Sequence, residues 1–210
     1  MAVVLLGLAG CATPESRQIT KFTTVVVDAG HGGHDSGALS RTSRVKIKRR
    51  YVSVGTRVQE KDLALDVARR VKAELAGSGL RVVMTRDDDR FIPLDGRVAI
   101  SNQRRDSLFV SIHFNDSRKR NIHGAEVYHN ARGTEDFARR MARSLASIPG
   151  VSNRGTKVAH FRVLRNSRGP AVLIESGYLS NPAEAARCAT PEHRQRLAGA
   201  IARAIIEQRR

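Results

Sequence analysis

The chain has no tryptophan, and aromatic residues make up only 4% of its 210 positions. No surface with aromatics interleaved among cations, the usual sign of single-stranded nucleic-acid recognition, is visible. The core must therefore be mainly aliphatic. Cysteine is scarce as well. Cys11 and Cys188 lie in dissimilar contexts and do not suggest a designed disulfide. Cys188 reads as a plain, partly buried thiol. Acidic residues are few, 20 against 37 Lys and Arg, for a formal net charge of +17. An excess of that size suits an anionic partner such as phospholipid headgroups, an acidic cell-wall polymer or nucleic acid, or simply a solvated basic surface. The cations are spread from Arg17 to Arg210, with clusters at residues 46–50 and 118–120. No apolar run reaches the ~20 residues that a membrane-spanning helix needs.

What is present begins with a short apolar stretch, residues 2–10, ending in Leu8-Ala9-Gly10-Cys11. It resembles a bacterial lipobox, in which Cys11 would be lipidated and become the first residue of the mature protein. No Lys or Arg precedes the stretch, and it starts almost at Met1, which points to a true start further upstream. Residues 1–21 are thus expected to be a lipoprotein-like signal and polar tether, and 22–210 one folded domain, a length usual for a single domain. Ala12 after the cysteine carries no Asp retention signal. This favours the outer membrane in a two-membraned cell and, in any cell, an envelope location facing the periplasm.

Along the body, strand and helix signals alternate. Residues 22–29 are apolar and β-branched and run into His31-Gly32-Gly33, as for a buried strand entering a tight turn. Residues 39–59 have no sustained period and predict an exposed loop or hairpin. Leu63, Val67, Val71 and Leu75, widened by Ala64 and Ala68, predict a helix over 61–75, stopped by Gly77 and Gly79. Further strands are predicted at 81–86, 107–114, 125–129, 161–164 and 171–175. Helices are predicted near 94–103, over 134–148 with Thr134 as N-cap, and over 191–208 with Pro191 in the first turn. The pattern predicts an α/β single-domain sandwich, its central sheet mostly parallel or mixed.

Three predicted strand ends carry polar residues that a core does not need: His31 in 28–33, His113 in 111–115 and Glu175 in 173–177. Ligands of open α/β sheets gather at such ends, and Glu60, at the start of the first strong helix, can meet the same edge. Two histidines and a carboxylate with one open position make a catalytic zinc site, and a spare carboxylate beside it can take a proton from the metal's water. Singly each signal is weak. A glycine-flanked His usually belongs to a turn, a Glu at a helix start is usually a dipole partner, and a His in an apolar strand is usually a hydrogen-bonded core residue. A phosphate loop at 30–33 lacks the Lys-Ser/Thr that should follow it.

Together the motifs are more specific. Residues 25–38 (VVVDAGHGGHDSGA), 60–63 (EKDL), 107–115 (SLFVSIHFN) and 170–181 (PAVLIESGYLSN) resemble, in order, four motifs of the zinc N-acetylmuramoyl-L-alanine amidases of the amidase_3 type. The likeness covers residues 24–206 and includes Thr85-Arg86 and 94–102. It implies a sheet of about six strands, Zn²⁺ held by His31, Glu60 and His113, and Glu175 as the catalytic carboxylate that activates water and passes the proton to the leaving amine. The implied substrate is peptidoglycan, cut between N-acetylmuramic acid and L-alanine. Phe114 stands where the family often has a small residue and is expected to narrow or reshape the cleft. Residues 115–169 hold one good helix, 134–148, so the plug helix of some cell-division relatives is not expected.

Other residues are weighed against plainer roles. His34 is read as a turn residue before a support for His31. His123, His129, His160 and His193 are read as surface or satisfied groups. Arg86, Arg97 and Asn166 either position substrate or hold loops. Two other functions share features with the amidase. A zinc peptidase acting within the stem peptide would use the same site, and a non-enzymatic wall- or nucleic-acid-binding module would need only the basic surface. The expected partners are peptidoglycan, the membrane through Cys11 and an activator protein, with no specific nucleic acid, and the chain is expected to be a monomer.

Overall fold

The computed structural model describes residues 21–40, 43–47, 50–54, 57–130 and 133–209, with side chains described outside the 43–54 hairpin apart from Arg50. The lipobox with Cys11, most of the tether and residues 48–49 of the basic cluster lie outside the described residues.

Six strands form the main sheet: β1 (Thr24–Ala29), β4 (Arg81–Met84), β5 (Ser107–Asn115), β6 (Ala125–His129), β7 (Asn153–Val158) and β8 (Ala171–Tyr178). Their order is β4-β1-β5-β8-β6-β7. All neighbours run parallel except β6 and β8. The mixed six-stranded sheet agrees with the expected fold class. The 39–59 segment contains the antiparallel hairpin of β2 (Ser43–Ile47) and β3 (Arg50–Val54).

Helices cover the two faces unequally. On one face lie α1 (Glu60–Glu74), α3 (Glu135–Ala146) and α6 (Pro191–Gln208). They pack their apolar stripes on Val25, Val27, Val110, Ile112, Val172 and Ile174 to make the large core. Phe114 joins this core at 1% exposure. Strand alternation turns its ring to the face opposite His113, while the residue still borders the cleft beside His113. The second face carries a smaller core around Val26, Phe109 and Leu173. Among the described residues it is roofed by the nine-residue α2 (Leu94–Asn102) and the four-residue α4 (Arg162–Arg165). That short roof leaves the carboxyl ends of β1, β5 and β8 open.

Several local expectations are corrected. Residues 161–164, predicted as a strand, enter α4: Phe161 is its N-cap, and the backbone N–H of Arg165 donates to the Phe161 carbonyl at 2.8 Å. Three apolar residues in this four-residue stretch fit a helical turn as well as a strand. β7 and α5 (Pro182–Cys188) were not predicted. Thr134 does precede α3, but its side chain does not cap the helix. Its hydroxyl donates instead to Asn130 Oδ1 at 3.3 Å and lies 3.2 Å from His129 Nδ1. Cys188 is fully buried in the large core, and burial pushes its thiol up to about 12, which keeps it an unreactive thiol.

Candidate metal centre

The loop after β1 is held by two buried arginines. Arg86 donates to the carbonyls of Ala29 at 3.0 Å, Gly30 at 2.7 Å and Lys61 at 2.8 Å. Arg97 donates to the carbonyls of Ala29 and His31, both at 2.6 Å, and pairs with Asp28 at 2.9 Å. Asp28 also accepts from the Thr85 and Ser111 hydroxyls at 2.6 and 2.7 Å. Burial alone would raise the Asp28 pKa, but Arg97 and the two hydroxyls outweigh it and hold the carboxyl below its usual range. Between substrate positioning and loop support, Arg86 and Arg97 therefore take support, since their guanidinium groups are spent on backbone carbonyls. Asn166 contacts Asp95 and Asn102, away from the histidines.

This bracing lets His31 adopt a left-handed backbone, φ 59°, which is uncommon for a residue other than glycine. His31 Nε2 lies 3.0 Å and His113 Nδ1 2.8 Å from the same oxygen, Glu60 Oε1. The two rings meet edge to face with centroids 4.8 Å apart. Glu60 opens α1, is almost fully buried, and accepts from the Ala38 N–H at 2.7 Å and the Phe114 N–H at 2.9 Å. Burial would raise its pKa, but hydrogen bonds with His113 and His31 outweigh this and keep it ionised well below the usual carboxylate range. Close backbone approach is required around these side chains. A Cβ on Gly30 would stand 2.4 Å from the His113 ring, and one on Gly37 2.5 Å from Glu60 Oε2.

His31, Glu60 and His113 each offer a ligand atom within 4.8 Å of the others, the separation a metal ion needs. The remaining nitrogen of His31, Nδ1, lies 2.8 Å from Asp35 Oδ2, while Asp35 Oδ1 accepts from the Gly37 N–H at 3.1 Å. A carboxylate behind a histidine ligand fixes its tautomer and raises its basicity. The sequence reading passed over Asp35 and considered His34, which is instead exposed and packs on Phe91 with centroids 4.2 Å apart. The available signal was the tight turn, which puts position 35 back beside position 31. Among the other histidines, His123 and His160 are exposed and His129 and His193 are buried.

Glu175 pairs with His113 across β5 and β8, so both side chains leave the same sheet face. They line a cleft of about 440 Å³ together with His31, Glu60, Leu173 and Phe161. The Glu175 Oε2 atom is sealed from solvent and has no hydrogen-bond partner. Burial, then the charges of Glu60 and Glu126, push its pKa well above the usual carboxylate value. A half-buried carboxyl with one sealed, unpartnered oxygen, on the wall of a cleft beside a His₂Glu cluster, fits a metal-dependent hydrolase with one group left over for proton transfer.

That class matches the comparisons with known proteins. Residues 25–207 match the Amidase_3 family, described as N-acetylmuramoyl-L-alanine amidase, and the chain belongs to this family of cell-wall hydrolases. YqiI of Bacillus subtilis, an uncharacterized protein, is 35% identical over 204 residues, covering 95% of this chain and 90% of YqiI. The solved structure of the amidase AmiC2 of Nostoc punctiforme is similar with a TM-score of 0.78 and 37% identity, covering 88% of this chain and 95% of AmiC2. The CwlD amidase of Clostridioides difficile, solved in complex with the GerS lipoprotein, is similar with a TM-score of 0.76 and 26% identity, covering 89% of this chain and 98% of CwlD.

Proposed function

We propose that this chain cleaves peptidoglycan between N-acetylmuramic acid and the first L-alanine of the stem peptide, with Zn²⁺ held by His31, Glu60 and His113 and with Glu175 as the catalytic proton carrier. The observation that carries the reading is the convergence of three candidate ligand atoms beside a carboxyl whose Oε2 is sealed and has no partner of its own. The donor set fits the ion: two imidazoles and one carboxylate suit a borderline metal and leave a coordination position open. Zinc at this site would supply Lewis acidity, lowering the pKa of a water to ~7 and polarising an amide carbonyl.

The chain's own groups supply the rest. Asp35 holds the proton on His31 Nδ1 and so presents Nε2 as the donor atom. Glu175 accepts the proton of the attacking water as the carbon–oxygen bond forms. It delivers that proton to the nitrogen as the carbon–nitrogen bond breaks, so the products are a lactyl carboxylate on the sugar and a free L-alanyl amine. Its raised pKa suits a group that must both take and return a proton near neutrality.

Outside the described residues, Cys11 is proposed as a lipid attachment site and residues 12–21 as the tether, which would place the enzyme at the envelope surface facing the murein. Among the described residues no helix is long and apolar enough to cross a membrane. α3, the long helix between β6 and β7, buries Phe137, Met141 and Leu145 in the large core. This supports an enzyme without a plug helix. Activation by a partner protein is kept as a proposal.

Purified peptidoglycan incubated with the enzyme, with and without a chelator, should release peptides that begin with free L-alanine. Release should stop under chelation and return with zinc. Products cut only inside the peptide would replace the amidase reading with the peptidase one.

A further inference from the structure

Four strands line up side chains on the open face of the sheet. His113 pairs with Glu175, Glu175 with Glu126, and Tyr128 with Lys157. Glu126 and Tyr128 are two apart on β6, so all of these residues leave the same face. The row leads from the proposed metal ligands through the proton carrier to β7 at the sheet edge.

Glu126 is buried at 2% exposure and anchors the far end of this row. It accepts from the hydroxyls of Tyr128 at 2.6 Å and Tyr178 at 3.1 Å and pairs with Arg154 at 2.5 Å. Lys157 also approaches it, at 3.5 Å, and stands 5.8 Å above the Tyr128 ring. One carboxylate therefore faces two cations. Arg154 is the closer partner, and Lys157, with a side chain 54% exposed, keeps donors free for something else. The Tyr128 ring in turn packs against Phe161, which lines the catalytic cleft.

The proposed reaction gives this row a direction. Glu175 must reach the leaving nitrogen, so the peptide side of the scissile bond lies on the Glu175 side of the site and the sugar on the other. From β8 to β7 is two strand spacings, roughly 10 Å at ~4.8 Å each. The Lys157 ammonium leans back over β6, 3.5 Å from Glu126, so an extended peptide at ~3.4 Å per residue comes within its reach in about two residues. A stem peptide that continues across the sheet brings its first residues beyond L-alanine to Lys157.

We propose that Lys157, mounted over Tyr128 and Glu126, is a specificity-determining residue that binds a free carboxylate on the stem peptide, about two residues beyond the scissile bond. The inference rests on the amidase reading above. A peptide whose second residue carries a free α-carboxylate would be preferred to the same peptide carrying the carboxamide there, since a lysine distinguishes a charge from a neutral amide at that point.

The test is steady-state hydrolysis of two matched muropeptides, one with the free carboxylate and one amidated at the second residue, by the zinc-loaded wild type, Lys157→Met and Lys157→Arg. Binding of the two corresponding sugar-free peptides is measured alongside. Wild type should favour the carboxylate substrate about fivefold in kcat/KM, through KM, the scale of a partly exposed ion pair. Lys157→Met should abolish the preference with kcat on the amidated substrate retained, and Lys157→Arg should restore it. The sugar-free peptides should show the same discrimination in Kd. No preference in wild type, or a preference unchanged in Lys157→Met, overturns the subsite while leaving the amidase reading intact. Failure of wild type to cleave either muropeptide overturns the amidase reading and the subsite with it.

Discussion

Asp35 Oδ2 sits 2.8 Å from His31 Nδ1, on the side of the ring away from Glu60. The contact sets which imidazole nitrogen faces the proposed metal site. Asp35→Asn keeps the shape but weakens the charge-assisted bond. It should lower zinc affinity about 10- to 100-fold. Competition with a chromophoric chelator measures this, and unchanged affinity would leave Asp35 with a role in the turn alone.

Glu175 illustrates the cost of keeping a reactive group ready. Its sealed Oε2 has no partner, and a buried polar atom left unpaired costs on the order of 1–3 kcal/mol. Glu175→Gln should abolish hydrolysis with zinc still bound at one equivalent. Relieved of a carboxylate charge that faces Glu60 and Glu126, the metal-free variant should melt above the metal-free wild type by a few degrees, as ~1 kcal/mol corresponds to about 2–4 °C in a domain of this size. Activity surviving in this variant would remove Glu175 from the mechanism.

Gly37 holds the space beside Glu60. With φ at 63° and Glu60 Oε2 2.5 Å from where a Cβ would stand, Gly37→Ala must shift the Glu60 carboxylate or the loop. Zinc affinity should fall more than thermal stability does. Parallel calorimetric titration and melting curves would show it, and retention of full affinity would mean that the loop adapts freely.

Acid stability should depend on Asp28. Its pKa is lower in the folded chain than the ordinary 3.8, so its ionised form contributes stability above that value. The contribution is lost as pH falls through the folded pKa. Asp28→Asn leaves the Arg97 charge buried without its carboxylate, a loss of about 3–5 kcal/mol for a broken buried pair. Denaturant unfolding should show a lower stability at pH 7 and a shallower decline below about pH 4 than in wild type. An unchanged decline would assign acid sensitivity to other carboxylates.

The elements most legible in the sequence were those with a strong period and a buried face. α1 repeats an apolar residue every fourth position, and β1 and β5 are apolar runs covered on both sides. β6 and α6 were placed at their observed bounds. β7 escaped because Asn153–Val158 is an edge strand, mostly exposed and polar. α5 was signalled by Asn181-Pro182, whose side-chain oxygen caps Ala183 and Glu184, but the segment is only seven residues and carries little amphipathic pattern. In the site, His31, Glu60, His113 and Glu175 were singled out by motif and by position at strand and helix ends, and the fold brings all four to one cleft. Asp35 and Glu126 were missed because their significance lies in partners: a turn folds one back onto a ring, and an antiparallel register sets the other beside Glu175. No local pattern encodes such pairings. Arg86 and Arg97 were correctly noticed, and only their burial against carbonyl groups decided between the two roles.

The three ligand atoms come from a loop, a helix start and a strand, and Glu60 and His113 alone are 53 residues apart in the chain. An unfolded polypeptide therefore offers no local chelate of the kind that two closely spaced cysteines provide. Parallel pairing of β1 with β5, and of β5 with β8, has to come first, and such non-local contacts form slowly. The proposed centre can form only after the sheet has assembled, and an ion captured there would tie the helix layer to the sheet like a late-fastened clasp.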